Sequence, residues 1–379
     1  MSKTSLPAAV LKPGEDRRML RGHLWAYRNE FSELPALADG DLFDVFSASR
    51  RFVCRAFYQA EGGIAGRALA GHQVDIDADF LRKRLEEAMH FRARLYPGSG
   101  VYRWVYGESD GLPGLVIDRY GPVASVQTSC AFYRLRREAL AELLLRREGI
   151  ATVVFLGDGG QEVHGAPLDP LEVDLDGVRA GIAFDHSQKT GLFLDQRENW
   201  PQVRRFANEA SVLDGFCYHG LWGVHAALGG AARVLGVDSS ESAVIQARAN
   251  AALNGMEDRC AFEKARVEEV LEGGLTFDLI VIDPPAFAKT RGQAKKAMAR
   301  YEEINRKALN ALSPGGILIT CSCSHFMPTA DFLEAVKRAA RSLSRSVRIL
   351  GVRGAAPDHP VLPVMAETEY LKCVILHAP

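Results

Sequence analysis

Two stretches of the chain set groups with chemical potential at the end of an apolar run. Phe277–Ile282 runs into Asp283-Pro284-Pro285-Ala286-Phe287, and Gly316-Ile317-Leu318-Ile319-Thr320 runs into Cys321-Ser322-Cys323-Ser324. An apolar strand ending in an acid delivers that acid to the edge where ligands bind in open α/β sheets. Two consecutive prolines then fix a rigid turn with no N–H donors, a geometry that suits presenting a planar substrate. The second run ends in a small polar loop with two thiols. Alternation along an extended segment puts Cys321 and Cys323 on one side, so either can face a site. As a metal centre the pair is poor, because no second Cys or His pair has matching spacing. The other five cysteines, Cys54, Cys130, Cys217, Cys260 and Cys373, read as buried structural thiols.

A third constellation lies upstream. Ser211-Val212-Leu213-Asp214 is a short strand that enters Gly215-Phe216-Cys217-Tyr218-His219-Gly220, and a helix-like stretch, Leu221–Leu228, follows. Strand, glycine-containing turn and helix admit a nucleotide-like ligand close to the backbone. About twenty residues on, Val234-Leu235-Gly236-Val237-Asp238 is a strand ending in an acid, suited to the two hydroxyls of a ribose. The pyrophosphate-cradling Gly-x-Gly-x-x-Gly is absent, so a dinucleotide is disfavoured. S-adenosylmethionine, which carries no phosphates, fits the pattern better.

These groups need a parallel sheet to position them. From about residue 178 the chain alternates strand, turn and helix, which predicts a doubly covered parallel sheet, with residues 243–253 a helix ending at Asn254-Gly255. Upstream, residues 1–72 read as short strands, with Gly40-Asp41 opening 42–46 and a second strand over 51–58. Residues 73–177 read as mixed: a helix capped by Asp79, strands at Val101–Tyr106 and 115–118 around Gly111-Leu112-Pro113-Gly114, and a helix over 135–147. The 379 residues are 47% hydrophobic and 25% charged, enough for a large core and against disorder or a fibrous repeat. No apolar run reaches the roughly 20 residues of a membrane span. Residues 1–12 lack a secretion signal, and seven thinly spread cysteines predict reduced thiols in the cytoplasm. Net charge is −1, yet basic residues gather at 10–28, at 289–307 (Lys289, Arg291, Lys295, Lys296, Arg300, Arg306, Lys307) and at 337–353. Each cluster is either a solvated helix face or a phosphate-binding face.

The motifs, in this order, resemble the bacterial class I S-adenosylmethionine-dependent ribosomal RNA methyltransferases that make 5-methylcytidine in 23S rRNA. The resemblance runs nearly end to end: Val10-Leu11-Lys12-Pro13-Gly14 with Gly22-His23-Leu24-Trp25-Ala26-Tyr27, Asp110 to Tyr120, Gln188 to Arg197, Asp283-Pro284-Pro285-Ala286-Phe287, Ser322-Cys323-Ser324 and Asp358-His359-Pro360. It implies a Rossmann-like methyltransferase domain at 178–379 with a mostly parallel seven-stranded sheet. Ahead of it would come a small β-barrel PUA-like RNA-binding domain at 1–72 and a central α+β domain at 73–177. By position, Asp214, Phe216, Tyr218 and Gly220 would form the methionine-side loop, and Asp238 with Ser239 would hold the ribose. Phe193, Asp195 and Arg197 would close the pocket, beside Asp283 and Pro284. Near the adenine the family often has an acid after the third strand, where this chain reads Glu263-Lys264-Ala265-Arg266. Pro285, Phe287, Lys289 and Arg300 would meet the substrate. The cofactor would be S-adenosylmethionine, giving S-adenosylhomocysteine, with no metal. The partners would be 23S rRNA or a large-subunit particle, and a homodimer is compatible with the family.

Chemistry singles out Cys323 within this resemblance. Carbon 5 of a pyrimidine is a poor nucleophile, and a covalent bond at carbon 6 makes it enamine-like. A thiolate is both nucleophile and workable leaving group, and Asp283 would stabilise charge on the base. The two-cysteine enzymes of this chemistry carry a second cysteine where this chain has Ala286, so a single-cysteine mechanism is implied. Cys321, His325 and His359 are candidates for the base that takes the carbon 5 proton. Methylation of uracil carbon 5 or of a guanine, and a non-catalytic RNA-binding assembly factor, are the alternatives.

Overall fold

The computed structural model describes residues 6–379 except 158–159, 183, 185–190 and 289. The chain divides into two compact units, the first from the described residues of Met1–Asp169, Ser187–Gly191 and Pro357–Thr368, the second from those of Pro170–His186, Leu192–Ala356 and Glu369–Pro379.

The first unit holds two sheets. One has six strands in the order Trp25–Tyr27, Ile64–Ala70, Phe52–Tyr58, Leu42–Phe46, Ala8–Leu11 and Phe31–Glu33. The other has five: Gly160–Gly165, Thr152–Gly157, Val123–Thr128, Leu115–Tyr120 and Val101–Tyr106. The helix Ala78–Leu95 covers the second sheet with buried Leu81, Leu85 and Ala88, and the Trp104 indole donates to the Leu85 carbonyl at 2.9 Å. Its cap is Asp77, whose carboxylate accepts from the Phe80 N–H at 2.9 Å. Asp79, the expected cap, sits one residue inside the helix and pairs instead with Arg82 and Lys83. The reason is spacing: a cap side chain must reach an N–H two or three residues on while its own backbone is extended, as that of Asp77 is.

In the second unit a hairpin, Leu171–Leu175 and Val178–Ile182, precedes the main sheet, so the expected break at 177/178 falls in its turn. The main sheet contains β1 (Ser211–Gly215), β2 (Arg233–Asp238), β3 (Cys260–Lys264), β4 (Phe277–Ile282), β5 (Leu312–Ser322), β6 (Arg348–Arg353) and β7 (Lys372–Ala378). Their spatial order is β3-β2-β1-β4-β5-β7-β6; the first five are parallel, and β7 runs antiparallel to both neighbours. The helices are α1 (Leu221–Leu228), α2 (Glu241–Leu253), α3 (Val267–Glu272), α4 (Ala294–Ala311) and α5 (Thr329–Ser342). Leu213, Ile280, Ile282 and Leu318 pack with Leu271 of α3, Tyr301 and Ala308 of α4, and Phe332 and Ala339 of α5. Burying these side chains stabilises the layer by roughly 1.5–3 kcal/mol for each large aliphatic residue. Among the described residues no helix is long and apolar enough to cross a membrane.

Candidate active site

Asp214, Asp238, Asp283 and Cys323 come from different parts of the sequence and meet at one edge. Each lies at or just beyond the carboxyl end of a parallel strand, β1, β2, β4 or β5 in turn. A parallel arrangement makes this unavoidable, because every strand then points the same end toward the crevice.

The loop after β1 departs from ordinary backbone. Phe216, Tyr218 and Gly220 all have positive φ, at 63°, 47° and 73°. The two non-glycine residues cost roughly 1–3 kcal/mol each. Four contacts hold the loop in place. Cys217 N–H donates to the Val237 carbonyl at 3.0 Å and Gly220 N–H to the Cys217 carbonyl at 2.7 Å. Tyr218 N–H donates to Asp238 Oδ2 at 3.1 Å, and the Asn250 amide to the His219 carbonyl at 2.8 Å. Asp238 Oδ1 accepts from the Ser240 N–H at 2.9 Å, which fixes the half-buried carboxylate while Ser239 stays exposed. Gly220 has a packing role: a Cβ there would lie 2.7 Å from the Phe262 ring and 2.8 Å from Ala247.

Asp214 is fully buried, and its Oδ2 accepts from the Gly223 N–H at 2.9 Å. Oδ1 has no hydrogen-bond partner among the described residues. Burial, helped by the charges of Asp283 and Asp238, pushes its carboxyl up to about 7. An orphaned carboxylate oxygen beside two further acids is what a cation satisfies, and S-adenosylmethionine carries an ammonium and a sulfonium. The donor set therefore fits that cofactor. Phe193 lies 4.7 Å from Tyr218, edge to face. Asp195 is anchored by the Tyr370 hydroxyl, and Arg197, buried, is paired with Asp176 at 2.9 Å. Glu263 is exposed on β3.

Asp283 is oriented from two sides. Its Oδ2 accepts from Gln196 Nε2 at 3.0 Å and from Trp222 Nε1 at 3.1 Å. Behind Gln196 stands Asn199, whose amide donates to Gln196 Oε1 at 2.7 Å, and behind Asn199 stands Arg353, whose Nε donates to Asn199 Oδ1 at 2.9 Å. Sequence reasoning missed this relay. One available signal was Trp222 in a largely apolar helix, since a buried indole N–H needs an acceptor. After Asp283, Pro284 is buried, Pro285 is exposed, and Phe287 is half-buried with the Arg300 guanidinium 4.1 Å above its ring.

The two thiols of the β5 run part company. Cys321 lies inside the strand opposite Cys373, fully buried, and burial pushes its thiol up, so it stays protonated and offers no thiolate. Cys323 lies past the last strand residue, half-buried, with its Sγ 3.7 Å from the Pro284 carbonyl oxygen. Both thiols border the surroundings of Asp283, Cys321 through Gln196 and Cys323 through the Pro284 carbonyl, and they differ in exposure, because β5 ends at Ser322. Six of the seven cysteines are buried and Cys323 alone is half-exposed. The loop is braced by Tyr301, whose hydroxyl is 3.0 Å from Ser324 Oγ, and by Lys372 of β7, whose Nζ donates to the Ser324 and Tyr370 carbonyls at 2.8 and 2.7 Å. His325 is exposed against Tyr370, and His359 belongs to the first unit, where its Nδ1 meets Asp358 at 2.8 Å. Lys289 and Gln188-Lys189-Thr190 lie outside the described residues.

Several expected phosphate ligands are engaged within the protein. Arg18 pairs with Glu30, and Arg28 reaches the Tyr58 hydroxyl and two carbonyls. Arg306 and Lys307 pair with Glu303 and Glu272, and Arg345 caps the Leu309 carbonyl of α4 and those of Leu312 and Ser313 at the start of β5. Lys295 and Lys296 are exposed on the first turn of α4.

The sequence pattern of a PUA-like domain matches residues 9–70, and that of an S-adenosylmethionine-dependent methyltransferase matches residues 156–367. The chain is 35% identical to ribosomal RNA large subunit methyltransferase I of Shewanella denitrificans, over 96% of this chain and 98% of that protein. Two solved structures share the fold at 18% identity, each covering 98% of this chain and all of the other. A SAM-dependent methyltransferase from Streptococcus mutans superposes with a TM-score of 0.87, and a methyltransferase complexed with SAH with 0.88. The chain thus belongs to the S-adenosylmethionine-dependent methyltransferase family that includes ribosomal RNA large subunit methyltransferase I, and it is a methyltransferase with S-adenosylmethionine as its cofactor.

Proposed function

We propose that this methyltransferase forms 5-methylcytidine in 23S ribosomal RNA, in the cytoplasm, through a covalent bond between Cys323 Sγ and carbon 6 of the base. The observation that carries the proposal is the half-exposed Cys323 thiol, 3.7 Å from the carbonyl of the residue that follows Asp283. The resemblance of the whole chain to a ribosomal RNA methyltransferase supports the substrate class. Residues 1–72 would bind RNA, 73–177 would form the central α+β domain, and 178–379 would hold the chemistry.

Bound in the pocket, S-adenosylmethionine supplies an electrophilic methyl group. Asp214, Phe216, Tyr218 and Gly220 would hold its methionine side, Asp238 and Ser239 its ribose, and Phe193, Asp195, Arg197 and Pro284 the remainder. The Cys323 thiolate adds to carbon 6, and the carbon 5–carbon 6 π pair shifts through carbon 4 toward N3. Asp283, its Oδ2 oriented by Gln196 and Trp222, would carry a proton on the other oxygen, donate it to cytosine N3 and face the exocyclic amine, so that the charge reaching N3 is met by that proton. Once carbon 5 is methylated, its proton passes to a base, the π bond re-forms, and the S–C6 pair returns to sulfur. Pro285, Phe287, Lys289 and Arg300 would frame the substrate, the Arg300–Phe287 stack offering a flat face for a base.

The test is methyl transfer to unmodified 23S rRNA, followed by digestion and nucleoside mass analysis. 5-Methylcytidine is the expected product. 5-Methyluridine or a methylguanosine would keep the enzyme class and overturn the base.

A further inference from the structure

Lys372 is an unusual residue for its place. It opens β7, a strand whose only other polar side chain is His377, directly opposite Ser322, and it is 3% exposed. Lysine is almost never fully buried without a partner, since removing an ammonium from water is costly. Its Nζ hydrogen bonds among the described residues go to two carbonyl oxygens, of Ser324 at 2.8 Å and Tyr370 at 2.7 Å. Neutral acceptors do not balance the charge, and an ammonium has a third N–H bond to place. Ser324 is the residue after Cys323, so the cation is tied to the loop that carries the half-buried thiol.

We propose that Lys372 is the positioning residue of the nucleophile: its ammonium fixes the Ser322-Cys323-Ser324 loop and is the counter-charge that keeps Cys323 as a thiolate. This rests on the reading of Cys323 as the nucleophile. The thiol proton is released to water, and the sulfur lone pair is then available for the S–C6 bond. On elimination that pair returns to sulfur beside the same ammonium, so the leaving group is stabilised as the nucleophile was. Burial lowers the Lys372 amine to about 8, whereas the Cys323 charge raises it, as mutual stabilisation requires. Other titratable groups about the pair are Glu369 ahead of β7, whose charge also raises the Lys372 amine, Tyr301 on α4, Tyr370 with exposed His325 against it, and buried Cys321 and Cys373.

The experiment is the pH profile of Cys323 alkylation by iodoacetamide, read by peptide mass analysis on the full protein without RNA or cofactor. Because the other six cysteines are buried, the Cys323 peptide reports selectively. The wild-type midpoint is expected below the ordinary thiol value of about 8.5. In Lys372→Met it should rise by about one pH unit or more, slowing alkylation at pH 7 roughly tenfold, while Lys372→Arg keeps it low. Thermal unfolding and S-adenosylhomocysteine binding check that each variant is folded. If Lys372→Met does not fold, Lys372→Gln is read in the same way. An ordinary midpoint in the wild type, or an unchanged one in the folded neutral variant, overturns the proposal. Alkylation involves no substrate base, so this failure is distinct from finding a product other than 5-methylcytidine.

Discussion

The loop after β1 and the loop after β5 do related jobs by different means. The first is shaped by its own backbone: three positive φ angles within five residues, pinned by contacts to β2 and α2. Strain there is offset locally, and the acids it presents are fixed by main-chain N–H groups. The second is short and ordinary in backbone, and its order is imposed by Tyr301 from α4, Lys372 from β7 and the Pro284 carbonyl after β4. The first loop, proposed for the cofactor, thus carries its own shape in its backbone, whereas the second, proposed for the nucleophile, takes its shape from side chains of other elements.

The largest effect expected from this contrast is at Cys323. Cys323→Ala should abolish turnover while leaving S-adenosylmethionine binding nearly unchanged by calorimetry, and Cys321→Ala should be mild. Retained turnover in the Cys323 variant would sink the covalent scheme and reduce the second loop to packing. Next is Asp238→Ala, which removes the acceptor of the Tyr218 and Ser240 N–H groups and the proposed ribose ligand. Cofactor affinity should fall by roughly 1–3 kcal/mol, with turnover at saturating cofactor much less affected. Equal affinity would show that the first loop is not the cofactor's.

How far the sequence disclosed these loops follows from the same contrast. Asp214, Asp238 and Asp283 were legible because each ends an apolar run, and a parallel sheet brings such ends together whatever the rest of the chain does. The Asn254-Gly255 helix end was legible for a similar reason, since αL caps are local, and Gly255 has φ 64°. Strand alternation could not separate buried Cys321 from half-buried Cys323, because nothing local signals that β5 stops at Ser322. Gln196 and Trp222 on Asp283, and Arg353 behind Asn199, are joined across 61 to 154 residues by tertiary packing alone. Arg18, Arg28 and Arg345 read as surface charge until their acceptors were visible. Composition counts charges but cannot tell which are already paired.

A smaller effect separates the loops by pH. Burial raises the Asp214 carboxyl to about 7, above its unfolded value near 4, so the native state binds a proton more tightly than the unfolded chain. Its contribution to the stability of the cofactor-free protein should therefore be present below about pH 4 and be lost as pH rises toward 7. The cationic cofactor prefers the ionised acid, so its affinity should rise over pH 5–7, by at most about tenfold per unit. Asp214→Asn should flatten both profiles in thermal melts and calorimetry. A pH slope unchanged in that variant would assign the titration elsewhere and leave the buried oxygen without a ligand.

The smallest effect concerns Lys295 and Lys296, just beyond the loop that follows β4. Arg306 and Lys307 on the same helix are held by Glu303 and Glu272, and Arg300 lies over Phe287, so their charges are partly committed within the protein. Lys295 and Lys296 are exposed on the first turn, where a helix dipole disfavours cations by a few tenths of a kcal/mol. Positive charge kept at an unfavourable end is better explained by an external anion than by helix stability. Replacing both with Ala should leave turnover on saturating RNA intact and make the salt dependence of RNA binding shallower by about one to two units of slope. An unchanged slope, with a helix no less stable, would return the pair to solvent and leave RNA contact to other residues.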